Sequence, residues 1–364
     1  MKKVNANPKT CRSKEYWLVT TKHLKEGLWF RDDEDYKVGM NYVAIVSVAY
    51  GVMVLAFVLM SNHVHFVLYC TEEEAWAFIN EFKADCSRHL ALKYGVRDLL
   101  RRNRVDIQRI TPNDESFERA VAYTQMNPPA ANICLNPSGY PWGTGETFFH
   151  ARLKKGTRLG DMSQNAKRRL LHTRRDLPAD WLVGDDGFIL PESYVPVTLV
   201  EAIFRTPKRM NYFLQNSSKA KRRKEFQGND LPSFRDQVLY AAIPDLCLSL
   251  FGKNEASELD EGQRQELVRQ LRRRFSADIH QIARITSLSR EHVSRLLDTP
   301  LNPPLNRHLA RRSKRCTLAR IKRHKTCAWV PMVDPRANLN QKNVLRQTSA
   351  STAPRACTWA RGTS

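Results

Sequence analysis

Glycine is scarce in this chain, 15 of 364 residues, and none falls in the spacing of a Walker loop or a dinucleotide fingerprint. Function therefore does not rest on a glycine-rich loop that cradles phosphate, and no nucleotide cofactor is implied. Eight cysteines stand at positions 11, 70, 86, 134, 247, 316, 327 and 357 without a Cys-x-x-Cys pair, which leaves neither a zinc site nor a disulfide framework. Reduced thiols and a cytoplasmic location are the expectation. Acidic residues are also short, 37 Asp plus Glu against 59 Lys plus Arg, giving a net charge of +22. Such an excess points to a nucleic-acid partner whose binding falls with salt.

Long hydrophobic runs are nearly absent. The exception, Tyr42 to Met60, runs nineteen residues without a charge. Gly51 splits it, its second half is β-branched, and neither flank offers a second span or a signal-peptide layout, so no membrane segment is expected. A helix over about 33–50 followed by a buried strand accounts for the run.

That strand leads to His63-Val64-His65. In a strand, residues i and i+2 share a face, so Val64, Phe66 and Leu68 point to a core while the two imidazoles lie side by side. The spacing suits two nitrogen ligands on one divalent ion. Some sixty residues on, Tyr123 sits in Ala122-Tyr123-Thr124-Gln125-Met126-Asn127-Pro128, on a helix expected to start near Asn113 as its cap and to end at Pro128-Pro129. A tyrosine hydroxyl is a phosphodiester nucleophile, and a metal held nearby polarises the phosphoryl oxygen.

These residues, with Phe30-Arg31-Asp32-Asp33-Glu34-Asp35-Tyr36 upstream and Gly139-Tyr140-Pro141-Trp142 downstream, resemble the single-tyrosine HUH transposases, and among them the REP-associated tyrosine transposases. The likeness covers roughly residues 15–150, with four motifs in the expected order. It implies an α+β fold, a ferredoxin-like nuclease domain with an antiparallel central sheet. It also implies cleavage of single-stranded DNA beside a hairpin to leave a 5′-phosphotyrosine and a free 3′-hydroxyl, with Mg²⁺ or Mn²⁺ and no ATP. Carried over by position, His63 and His65 are metal ligands, Tyr123 is the nucleophile, and Asn127 completes the metal site. An i, i+4 pair shares a helix face, although a residue before proline is pushed away from helical angles. One stretch departs from the family, Leu100-Arg101-Arg102-Asn103-Arg104-Val105 standing where Trp-Gln-Gly-Arg-Phe is typical. Arg101, Arg102 and Arg104 are candidate phosphate contacts, or a solvated turn. Members of the wider family pair as dimers and the repeat-associated branch resembles monomers, so monomer and homodimer both stay open.

Four regions follow from this reading: the nuclease-like domain over 1–150, a linker or accessory region over 151–234, a helical region over 235–298, and a basic tail over 299–364. The accessory region carries basic clusters at Arg152, Lys154 and Lys155 and from Lys219 to Lys224, with short strands or turns over 182–197. In the helical region Leu267, Leu271 and Phe275 follow helical spacing. Residues 279–297 resemble a helix-turn-helix in which Ala283, a buried Leu288 and Val293 pack the two helices and Ser289 caps the second. Ser289, Arg290, His292, Ser294 and Arg295 then lie toward a DNA groove. The alternative is a helical hairpin that only packs on the nuclease domain. The tail holds 14 Lys or Arg and one acidic residue, Asp334, and reads as disordered.

Two functions fit these features. One is a transposase-like endonuclease acting on single-stranded or hairpin DNA. The other is a DNA-binding regulator built on a decayed transposase, acting through the helix-turn-helix on duplex DNA.

Overall fold

A computed structural model of the chain describes residues 13–111, 114–149, 155–173, 175–220 and 234–299. Asn113, Arg152, Lys154, the basic cluster over 221–224 and the tail over 300–364 lie outside the described residues.

Strand β1 (Glu15–Thr21) is followed by helix α1 (Asp33–Tyr50), the hairpin β2 (Met53–Met60) and β3 (His63–Cys70), helix α2 (Glu72–Tyr94) and strand β4 (Val105–Ile110). The strands form one antiparallel sheet in the order β2-β3-β1-β4. The domain is therefore α+β. Helix α1 starts where the Asp32 side chain accepts from the Asp35 backbone in a reciprocal capping box, with three acids in its first turn. It ends at Gly51, whose φ of 61° is left-handed and open to glycine without strain.

The apolar run from Ala56 does not continue as one strand into the histidines. It breaks at Ser61-Asn62, and the histidines open the return strand. Both strands are buried on both faces, so their hydrophobicity is continuous and hides the turn. On one face Phe66 meets Phe78 and Phe82 of α2, at ring separations of 5.1 and 5.3 Å. Pleating sends His63 and His65 to the other face.

That second face is covered by α3 (Ser116–Gln125), which is followed by the short α4 (Asn127–Ala130). The proline pair does not end the tyrosine helix. Pro128 and Pro129 sit in the first turn of α4, where a missing N–H costs nothing, and Asn127 opens that turn in helical conformation. The edge of β2 is closed by residues 142–144: Leu59 donates to the Trp142 carbonyl at 2.9 Å and Thr144 donates to that of Phe57 at 3.0 Å. Gly143 permits this approach, since a Cβ there would stand 2.5 Å from the Phe57 oxygen. The aromatic residues of the flanking motifs meet here. Tyr36 stacks between Phe30 and Trp142 at 4.8 and 4.9 Å, and the Tyr140 hydroxyl donates to the Leu59 carbonyl at 2.8 Å.

Residues 155–220 contribute a two-stranded ribbon of β5 (Thr157–Arg158) and β6 (Leu182–Val183), with helices α5 (Gln164–Leu171), α6 (Val197–Phe204) and α7 (Pro207–Asn216). Leu159, Trp181, Ile189, Val200 and Phe204 from this segment are buried in the same core as the main sheet. Asn41 of α1 joins them by accepting from the Ile189 backbone at 2.8 Å.

The C-terminal helices are α8 (Asp236–Phe251), α9 (Glu261–Phe275), α10 (Ile279–Thr286) and α11 (Arg290–Asp298). Leu267, Leu271 and Phe275 of α9 are buried, as are Ala283 of α10 and Val293 of α11. Between α10 and α11, Ser287 takes the left-handed φ of 58° that glycine would adopt freely, and Ser289 accepts from the His292 backbone at 3.2 Å. Leu288 is half-buried rather than buried, because the turn carries it to the rim of the helix pair. Among the described residues, no helix is long and apolar enough to cross a membrane.

Candidate active site

The His63 and His65 rings lie 4.9 Å apart and nearly perpendicular on the face of β3 that looks toward α3. Each is oriented through Nδ1. Asn62 Oδ1 is 2.8 Å from His63 Nδ1, and Thr20 Oγ1, from the residue paired with His65 across β1, is 3.0 Å from His65 Nδ1. Both Nε2 atoms are buried and have no hydrogen-bond partner. A buried imidazole nitrogen without a partner costs free energy unless something accepts its lone pair.

Burial holds the His63 ring well below its ordinary pKa, reinforced by His65, His23 and Lys219. His65 is pushed down to about 3 by burial, then Lys219 and His23, with the Asn127 side chain acting in the opposite direction. Both rings are therefore neutral at physiological pH, the form that coordinates metals.

Tyr123 faces this pair from α3, its ring 5.4 Å from that of His65 and perpendicular to it. The helix starts at Glu115, which caps it with backbone alone. It is held by tertiary contacts instead: Arg209 of α7 reaches Glu118 at 2.9 Å and Glu115 at 3.1 Å, and Gln125 donates to the Thr144 carbonyl at 2.9 Å. Asn127, also buried, donates its amide to the Tyr123 and Thr124 carbonyls at 2.9 and 3.2 Å. Its amide oxygen is left as the group available toward His65. The structure thus brings His63, His65, Tyr123 and Asn127 together.

Sequence reasoning misses four neighbours. Thr20 and Asn62 orient the imidazoles, His23 stacks on His63 at 3.7 Å, and the Lys219 ammonium lies 4.8 Å from the centre of the Tyr123 ring. Only Asn62 had a local signal, its adjacency to His63. The others arrive by strand register or by the packing of α7. Among the described residues, no group of three or more His, Cys, Asp or Glu is arranged to hold a metal; Asn127 is a further polar side chain beside His65.

A cavity of 340 Å³ opens beside His63, lined also by His23, Asn127 and Lys219 and, from the C-terminal helices, by Asp236 and Arg284; His65 and Tyr123 do not line it. Arg101, Arg102 and Arg104 are exposed in the turn before β4, at the end of the sheet that carries the histidines, with Arg101 3.6 Å from Asp98. Ser289, Arg290, His292 and Arg295 do not line the cavity. Arg290 and Arg295 are exposed on α11, while His292 is half-buried and its Nε2 lies 2.9 Å from Glu261.

No family model matches the chain, and no curated protein matches it. A solved structure of a REP-associated tyrosine transposase bound to a REP hairpin is similar at 16% identity, covering 40% of this chain and 84% of that one, with a TM-score of 0.28.

Proposed function

We propose that the chain is a metal-dependent tyrosine endonuclease of the single-tyrosine HUH type, which cleaves and rejoins single-stranded DNA through a 5′-phosphotyrosine. The observation that carries this reading is the pair of buried, unpartnered Nε2 atoms at His63 and His65, facing Tyr123. The strand order β2-β3-β1-β4, with α1 and α2 as crossovers, supports a ferredoxin-like nuclease domain around them.

The residues present fit a divalent ion. Two neutral imidazoles with Nδ1 already engaged offer Nε2, and Asn127 offers an amide oxygen. Mg²⁺ or Mn²⁺ bound there would polarise the phosphoryl oxygen and offset developing charge. Asn62 and Thr20 hold the ring planes. Tyr123 attacks phosphorus: its Oη–P bond forms, the P–O3′ bond breaks, the phenol gives up its proton and the departing 3′ oxygen takes one up. Arg101, Arg102 and Arg104, exposed in the turn before β4, are candidate contacts for the DNA backbone.

A second reading, a duplex-binding regulator acting through a helix-turn-helix over 279–297, is favoured by the exposed Arg290 and Arg295 on a helix capped by Ser289. Covalent capture separates the two. Purified protein is mixed with labelled single strands copied from DNA flanking its own gene, with Mn²⁺ or EDTA, beside Tyr123→Phe. A metal-dependent band that survives denaturation and vanishes in the variant supports the nuclease. Duplex binding without any adduct supports the regulator.

A further inference from the structure

Lys219 is placed by packing remote from it in sequence. Helix α7 is fixed against the tyrosine helix by the Arg209 fork to Glu115 and Glu118, with the guanidinium held over the Phe213 ring of its own helix at 5.1 Å. Just past its end, Ser217 accepts from the Ala220 backbone at 3.1 Å and turns the chain. The half-buried lysine between them is thereby carried over the Tyr123 ring and onto the wall of the cavity that also holds His63 and Asn127.

The surroundings favour an anion at this point. The Lys219 ammonium stands over the Tyr123 ring and lines one cavity with His63, so its charge lies beside both the tyrosine and a histidine of the pair. His23 and Arg235 line the same cavity, and the carboxylate of Asp236 is already engaged by Arg284 at 3.0 and 3.2 Å. On the nuclease reading, the phosphate attacked by Tyr123 lies beside a ring that the ammonium already overlies.

We propose that Lys219 supplies a positive charge to a non-bridging oxygen of the phosphate that Tyr123 attacks, a role resting on the nuclease reading. As the Oη–P bond forms and the P–O3′ bond breaks, negative charge accumulates on the equatorial oxygens. A fixed cation there stabilises it in a site partly screened from water.

The test uses the full chain and whichever flanking single strand gives the covalent adduct. At saturating strand, K219Q is expected to form adduct about 100-fold more slowly, and K219R to recover most of the rate, with unchanged melting curves in both. Binding is then measured in the Y123F background, which keeps the aromatic ring, on strands whose scissile linkage is either phosphate or neutral methylphosphonate. With Lys219 present, neutralising that linkage is expected to weaken binding about ten-fold; in Y123F/K219Q it is expected to cost little. An undiminished rate in K219Q, or the same methylphosphonate penalty with and without Lys219, overturns the role while leaving the nuclease intact. Absence of adduct from the wild-type chain on every flanking strand overturns both.

Discussion

The Ser61 hydroxyl donates to the Asp236 carboxylate across 2.7 Å, tying the turn that precedes the histidine pair to the first residue of α8. Asp236 is buried and also accepts from Gln281 at 2.9 Å and from Arg284, so one carboxylate joins the β2–β3 hairpin, α8 and α10. Gln237 adds a bond to the Phe30 carbonyl at 2.8 Å.

Replacing Asp236 by alanine leaves the Arg284 guanidinium without its buried counter-charge. Breaking such a pair costs about 3 kcal/mol. The expected outcome is a lower denaturation midpoint, with earlier proteolytic release of the C-terminal helices from the sheet domain. An unchanged midpoint and cleavage pattern would show that the carboxylate is not what docks them.

Acid stability turns on Asp35. Burial alone would raise its pKa, but hydrogen bonds from His89 and Lys93 and from the Arg31 backbone outweigh it and hold the group down to about 2. The folded value lies below the ordinary 3.8, so the unfolded chain binds this proton more readily. The stabilisation is present above about pH 4 and is lost as pH falls toward 2, with a size of about 2 kcal/mol. Unfolding free energies of wild type and Asp35→Asn should therefore differ at neutral pH and converge over that window. A gap that stays constant down to pH 2 would remove Asp35 as its source.

Much of this site is readable from local chemistry. The span of α1 follows from its acidic first turn and from Gly51, and the common face of His63 and His65 from the period of a strand. The break at Ser61-Asn62 is not readable, because strands buried on both faces show no alternation from which to count. Asn127 before Pro128 reads as a fraying end, yet the first turn of a helix has no use for the missing N–H, so the chain re-enters a helix there. Thr20, His23 and Lys219 reach the site through register and helix packing, which depend on pairs far apart in sequence. Arg209 is such a case: its value lies wholly in Glu115 and Glu118, more than ninety residues away.

Orientation of the imidazoles gives a prediction that does not depend on turnover. Asn62→Ala removes the partner of His63 Nδ1, and Thr20→Val removes that of His65. Loss of such outer partners lowers metal affinity about 10- to 100-fold. Calorimetric titration with Mn²⁺ should show this weakening in each variant while the fold is retained. Undiminished affinity in both would mean that these bonds do not present Nε2 to a metal.

The C-terminal helices allow a separate test of duplex binding. Arg290 and Arg295 are exposed on α11, whereas His292 is occupied by Glu261, so the arginines are the groups free to meet phosphates. If α11 lies on duplex DNA, Arg290→Ala and Arg295→Ala each weaken binding and reduce the slope of log affinity against log salt by about 1. His63→Ala, on the remote site, should leave that slope unchanged. Fluorescence anisotropy across a salt series measures all three. If the arginine variants keep the wild-type slope, α10 and α11 serve to brace the sheet domain through Asp236, and the charge excess acts elsewhere in the chain.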